Sequence, residues 1–116
     1  MSQNTTQTGQ RFNPQIKKIM DDMLLVIPGV SEGKLFGYPA YTIKGKAFAV
    51  LCGAGVAFKL SEQVAEEMIR DDYITYFEPV EGKIWRAWIL VEYPRVDQYR
   101  MQKPLYERAM RFTLGE

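Results

Sequence analysis

The chemistry open to this chain is bounded first by two counts. Its 116 residues include no histidine and a single cysteine, Cys52. Histidine is the commonest general base and metal ligand, so no Ser/His/Asp or Cys/His arrangement can be assembled. One thiol makes neither an intramolecular disulfide nor a zinc site. As a nucleophile Cys52 would need a cation to hold it as the thiolate, and Lys59 is the candidate. Beside Gly53 at a strand end, it reads instead as a small structural residue. Gly53-Ala54-Gly55 has the look of a phosphate loop. A phosphate cradle opens onto a helix N-terminus, however, and here strand-forming residues follow, so a hairpin turn is expected. Asp71-Asp72 with Glu67 could offer oxygen ligands to a hard cation, but acidic pairs at helix ends are ordinarily solvated. No catalytic residue, metal or cofactor is expected.

The aromatic residues carry more. Phe36, Tyr38, Tyr41, Trp85, Trp88 and Tyr93 fall on or beside expected strands in a chain that is 13% aromatic. Tyrosine, tryptophan and arginine dominate binding hot spots, which makes Phe36, Tyr38, Tyr41, Lys59, Arg86 and Trp88 the candidate binding or interface set. Three uses remain open for them: filling a core, forming a homodimer surface, or lining a ligand groove. A small-molecule pocket under the Gly37–Tyr41 turn would have Tyr38, Glu32 or Lys34 for its polar chemistry. Base stacking on single-stranded nucleic acid needs aromatics interleaved with several cations, and a net charge of +1 argues against that partner.

The elements that would position these residues follow from spacing. Asn13-Pro14 is a helix start, a good N-cap followed by a proline where its missing N–H costs nothing. Ile16, Ile19, Met20, Met23 and Ile27 then recur every three or four residues, and Pro28-Gly29 ends the helix. From Lys34 to Leu60 the chain reads as a meander. Leu35-Phe36 is short, Gly37-Tyr38-Pro39 is a turn or bulge, and Lys44-Gly45 joins Tyr41–Ile43 to Lys46–Leu51. Gly53-Ala54-Gly55 turns into Val56–Leu60. Period-two alternation places Phe48 with Val50 and opposes them to Ala47, Ala49 and Leu51. One face is bulky and should pack on helices; the other is built mostly of small residues.

Ser61 is read as the N-cap of a second helix, Glu62 to about Arg70, with its glutamates where the helix dipole favours negative charge. Ile74–Phe77 is a short strand, and Glu78 to Gly82 a turn. A long strand from Lys83 to Tyr93 follows. On it Trp85, Ala87, Ile89 and Val91 should share one face, and Ile84, Arg86, Trp88 and Leu90 the other. Both faces are apolar, as expected of a central strand or one at an interface. A last helix runs from about Asp97 to Thr113, with a kink or fresh start near Lys103 because Pro104 falls inside it.

A chain of this length, 47% hydrophobic, can bury roughly two thirds of its unfolded surface and needs no staple. The polar run before Phe12 has no apolar segment. It reads as a disordered tail over residues 1–12, ahead of one domain over 13–116, in a cytoplasmic protein with no membrane span. Charge is unevenly spread. From Ser61 to Glu81 seven acids face one base, a net of −6; from Gly82 to Arg111 seven bases face three acids, a net of +4. The two segments read as solvated faces, or as complementary surfaces of one fold or of two subunits.

Lys34-Leu35-Phe36-Gly37, Ile43 with Gly45, and Phe48-Ala49 stand in order along the meander. Phe58-Lys59-Leu60 before an acidic helix, Phe77-Glu78-Pro79, Gly82, and Trp88 among aliphatics complete an ordered set over about 60 residues. That set resembles the N-terminal domain of the TfoX family, with Leu35 where the family often has methionine. The resemblance implies a two-layer α+β fold of the secretion-chaperone-like type: helix, β meander, helix, two strands, helix, with a mostly antiparallel sheet. The helical C-terminal domain of full-length TfoX-type competence regulators has no counterpart here, so their regulatory role is not carried over. Together these readings describe a non-enzymatic binding or regulatory interaction module of a small bacterial TfoX-like protein. It is expected to be a homodimer formed through the sheet face, with a further protein partner open. The alternative is a small-molecule-binding protein or enzyme with its pocket near the Gly37–Tyr41 turn.

Overall fold

A computed structural model describes residues 11–116. Helix α1 (Pro14–Leu24) is followed by four strands, β1 (Val30–Leu35), β2 (Tyr38–Ile43), β3 (Lys46–Cys52) and β4 (Gly55–Lys59). Helix α2 (Glu62–Met68), strands β5 (Ile74–Val80) and β6 (Lys83–Val91), a 3-10 turn (Val96–Met101) and helix α3 (Lys103–Thr113) complete the chain. The expected α+β class with an antiparallel sheet is what the structure has. Its six strands are ordered β1-β2-β3-β4-β6-β5, every neighbour antiparallel.

The caps form as the sequence indicates. The Asn13 side chain accepts from the Gln15 and Ile16 N–H groups at 2.8 and 3.4 Å, and Ser61 Oγ accepts from Val64 N–H at 3.1 Å. The last helix starts afresh at Lys103, one residue before Pro104, after the 3-10 turn. Other boundaries move. The turn after β1 is Phe36-Gly37, so Tyr38 and Pro39 belong to β2, and β5 extends through Pro79 to Val80. The tail expected over residues 1–12 lies outside the described residues up to position 10. Arg11 and Phe12 belong to the folded unit: the Arg11 carbonyl accepts from Gly53 N–H at 2.7 Å, and Phe12 packs on the main core.

The helices of the described residues all lie against one face of the sheet. Their stripes, Ile16, Ile19, Met20 and Leu24 from α1 and Leu105, Tyr106, Ala109 and Met110 from α3, meet Phe48, Leu51, Val56, Phe58, Ile89 and Val91. The opposite face carries a second cluster, with no helix in it among the described residues: Ala40, Val50, Ala57, Phe77 and Trp88, flanked by Tyr38, Cys52 and Trp85. Gly55 joins the two halves of the sheet. A Cβ there would collide with the backbone carbonyl oxygen of Val91 on β6, which is why only glycine fits.

Two irregularities overturn the simple alternation expected along the strands. Tyr41 pairs with Ala49 but Thr42 with Ala47, so Phe48 is an extra residue in β3. This bulge turns Phe48 to the helices together with Ala49 and Leu51, and parts it from Val50. Between β5 and β6 the register jumps from Tyr76↔Ile89 to Phe77↔Trp85, leaving Arg86, Ala87 and Trp88 without partners on β5, although Trp88 still pairs with Lys59 of β4. Trp85 and Trp88, expected on opposite faces, consequently lie together with ring centroids 5.8 Å apart. Arg86 is separated from Trp88; its guanidinium sits over the Tyr76 ring at 5.4 Å.

Candidate functional site

The six residues singled out by sequence divide among three places. Phe36, Tyr38, Trp88 and Lys59 go to the helix-free face of the sheet. There the register sets Lys59 directly opposite Trp88. Tyr41 goes to the helix side, and Arg86 to the exposed β5–β6 hairpin.

The helix-free face is closed by its own rings. Trp88 is only 7% exposed, wedged against Phe77 and Trp85 at 6.0 and 5.8 Å. Phe36 reaches across to Trp85 at 5.3 Å. Strands β2 and β6 are three inter-strand steps apart, roughly 14 Å at normal spacing. Long side chains and the coil of a bulged sheet together close that distance. Small residues beneath them, Ala40 and Ala57, leave room for the indoles, and the face is a second core. The small-residue face expected from Ala47, Ala49 and Leu51 does not form, because the bulge at Phe48 leaves Ala49 and Leu51 on the helix side.

Phe36 occupies an unusual backbone position. With φ of 54° at Phe36 and 81° at Gly37, both central residues of the β1–β2 hairpin are left-handed, the geometry of a type I′ turn. Asparagine, aspartate or glycine normally stands first in such turns; a bulky residue there costs about 1–2 kcal/mol. The contact with Trp85 offsets that cost, and Phe36 remains 46% exposed at the rim of the aromatic cluster. Arg11 lies over the Tyr38 ring at 4.4 Å beside the same turn.

On the helix side of that turn is a groove of about 560 Å³ lined by Phe12, Lys17, Glu32, Gly33, Lys34, Gly37 and Pro39. The sequence anticipated Glu32 and Lys34 here; Tyr38 points to the other face. Lys17 joins the lining from α1. Its ammonium bridges Asp21 at 2.9 Å and Glu32 at 2.7 Å, and Asp21 accepts the Tyr41 hydroxyl at 2.5 Å. Burial pushes the Lys17 ammonium down, but the hydrogen bonds to Glu32 and Asp21 outweigh it, so Lys17 is held charged. Tyr41 is held neutral, its pKa raised far above the usual value by burial and then by Asp21. The i,i+4 spacing of Lys17 and Asp21 was visible in the sequence. Their link to Glu32 and Tyr41 needed the β1–β2 register, which sets those two residues opposite each other.

Cys52 is half-buried on the helix-free face. Burial pushes its thiol up, against a hydrogen bond to Tyr38 that works the other way, so it stays protonated at neutral pH. Lys59 does not enter into its balance. Gly53-Ala54 forms the β3–β4 turn, with no helix following it. Among the described residues no group of three or more His, Cys, Asp or Glu gathers into a metal site, and no helix is long and apolar enough to cross a membrane.

A larger cleft, about 700 Å³, opens between α2 and α3. Leu60 and Leu105 lie in it, with Val64 and Met68 from α2 and Arg108, Arg111 and Phe112 from α3. No motif singled out this place, because its walls come from elements 40 residues apart that are brought together only by the sheet. No protein-family model, curated protein or solved structure matches the chain.

Proposed function

We propose that this chain is a non-enzymatic interaction module of the TfoX N-terminal-like kind, cytoplasmic, and active as a homodimer. What carries the proposal is charge left unspent by the fold. None of the seven acids between Ser61 and Glu81 makes an ion pair among the described residues. The four ion pairs there all draw on Lys17, Arg95 and Arg100. Charge of both signs is therefore available for contacts between molecules, where it gives orientation and specificity. The family placement draws its support from the ordered residue set and from the helix–meander–helix–two-strand–helix order. The absence of catalysis is supported by a protonated, half-buried Cys52 and a Lys17 locked between two carboxylates.

Self-association through the sheet face would use only the rim of that face, Phe36, Tyr38 and Trp85, because Trp88 is spent inside the protomer. Sedimentation equilibrium tests the dimer directly. A mass near twice 13.4 kDa is expected at tens of micromolar, and a clean monomer at high micromolar concentration would overturn the proposal.

A second reading is favoured by the groove found where the sequence placed a pocket. A small molecule bearing both charges would find Glu32 and Lys34 on one wall and Phe12 and Pro39 as apolar floor. A thermal-shift screen of amino acids and carboxylic acids at millimolar concentration is expected to raise Tm for such a ligand. At 100 times Kd the gain is about 2.7 kcal/mol. No shift across the panel would count against the groove.

A further inference from the structure

We infer that two copies join edge to edge, β1 of each pairing antiparallel with β1 of the other about a two-fold axis at Gly33. This rests on the self-association proposed above and locates it at the sheet's edge, beside the rim that Phe36 occupies.

Strand β1 pairs only with β2 among the described residues, so its other side is open. Which backbone groups face that side follows from the turn. A two-residue hairpin makes Leu35 and Tyr38 exchange hydrogen bonds, and the exchange then recurs at every second pair, Gly33 with Ala40 and Ser31 with Thr42. The Lys44 N–H donates to the Gly29 carbonyl, the next step of the same series. Pro39, which has no N–H, stands opposite Lys34, where the ladder to β1 requires none. The N–H and C=O groups of Glu32 and Lys34 therefore point away from β2, and both residues are exposed. Strand β5, at the other end of the sheet, is a poorer template. Its register shifts after Tyr76 and again after Phe77, and Pro79 lies within it, whereas β1 keeps one register from Val30 to Leu35.

Charge selects the occupant and the register. Two-fold pairing centred on Glu32 would set that carboxylate against its own copy, and pairing centred on Lys34 would oppose two ammonium groups. Pairing centred on Gly33 sets Glu32 of each copy against Lys34 of the other and joins the backbone groups that β2 leaves unused. Lys34 makes no ion pair among the described residues, so it is available for that contact. Gly33 then meets its own copy at the axis, where opposed Cα atoms come within about 4.5 Å. Nothing within the protomer demands glycine there: its backbone is not left-handed, and a Cβ would meet only Thr42 Cγ2, at 3.4 Å. A strand glycine of that kind marks a close approach of another backbone. An unrelated extended peptide would have to carry the same two charges in reverse order; a second copy turned by 180° already does.

Amide hydrogen exchange followed by NMR tests the pairing in the wild type. The Glu32 and Lys34 amides are expected to exchange severalfold faster on dilution from about 500 to about 10 micromolar, while those of Ser31, Gly33 and Leu35 stay protected at both. Sedimentation equilibrium on variants, with far-UV circular dichroism to establish that each is folded, tests the contacts. K34P removes only an outward N–H and should weaken the dimer roughly 30-fold or more. K34E opposes two carboxylates and E32K two ammonium groups, and each should weaken it roughly tenfold. An equimolar mixture of K34E and E32K is expected to recover a heterodimer near the wild-type affinity. A wild-type dimer whose Glu32 and Lys34 amides exchange freely, or one that K34P leaves intact, would overturn the edge and leave self-association standing. Folded K34E and E32K chains that stay monomeric when mixed would overturn it as well. A monomeric wild type would remove both.

Discussion

Between pH 9 and pH 11 the domain is expected to lose about 4 kcal/mol of stability through three buried tyrosines. Tyr41, Tyr99 and Tyr106 are each no more than 1% exposed. The Tyr106 hydroxyl donates to the Tyr99 carbonyl at 2.6 Å, and the Tyr99 hydroxyl to the Val91 carbonyl at 2.9 Å, tying α3 to the 3-10 turn and the turn to β6. Tyr41 donates to the Asp21 carboxylate. Ionising any of them would bury a phenolate against an acceptor that has lost its donor. Burial accordingly raises all three pKa values, Tyr99 to about 12 and the other two further. The sign follows from which state lets go of its protons first. In the unfolded chain tyrosine ionises near pH 10, so above that pH the unfolded state binds fewer protons than the folded one, and stability falls as pH rises. Their contribution is fully present below pH 10 and drains away above it. Each group costs about 1.4 kcal/mol by pH 11. Urea titrations at pH 9, 10 and 11 would show this as a falling midpoint at nearly constant m. Stability unchanged up to pH 11 would mean that the hydroxyls ionise freely and are not held as described.

That polar framework was invisible in the sequence, and the reason is physical. Local signals were legible: Asn13 and Ser61 cap as their types dictate, Pro104 restarts a helix, and the glycine pairs turn the meander. Each of these depends on a few consecutive residues. What could not be read is whatever depends on register. One extra residue at Phe48 and three at Arg86–Trp88 invert the facing of everything beyond them, because side chains alternate with a period of two. Neither bulge has a residue type that announces it; Phe48 is an ordinary strand former. The candidate set suffered accordingly. Tyr41 and Arg86 left the face they were assigned to, while Phe36, Tyr38, Lys59 and Trp88 kept a common one. The charge blocks were plain in the sequence, but that α2 and α3 face each other across a cleft follows only from where the two helices rest on the sheet.

Trp88→Ala is expected to destabilise the protomer by about 3–5 kcal/mol, the range for emptying a buried aromatic site. As an interface residue, Trp88 would behave differently: its removal would leave the monomer's stability nearly intact and shift only the association equilibrium. The structure puts it instead among Phe77, Trp85 and the alanines of β2 and β4, at 7% exposure. The loss should therefore be the same at 2 and at 200 micromolar protein, roughly, because nothing in it depends on a second molecule. Its size depends on how far the site can collapse. The shell around Trp88 is poor in groups that could move in. Phe77 and Trp85 are held by the register jump between β5 and β6, and the floor is alanine, which has no side chain to extend. Little relaxation means a cost near the upper end of the range. Trp85 supplies the readout that separates this from a surface effect. It sits 5.8 Å from Trp88 and 5.3 Å from Phe36, so its fluorescence should shift to the red as the cluster opens to water. A variant that keeps wild-type stability and wild-type Trp85 emission, and changes only its sedimentation, would return Trp88 to the surface and the helix-free face to the dimer.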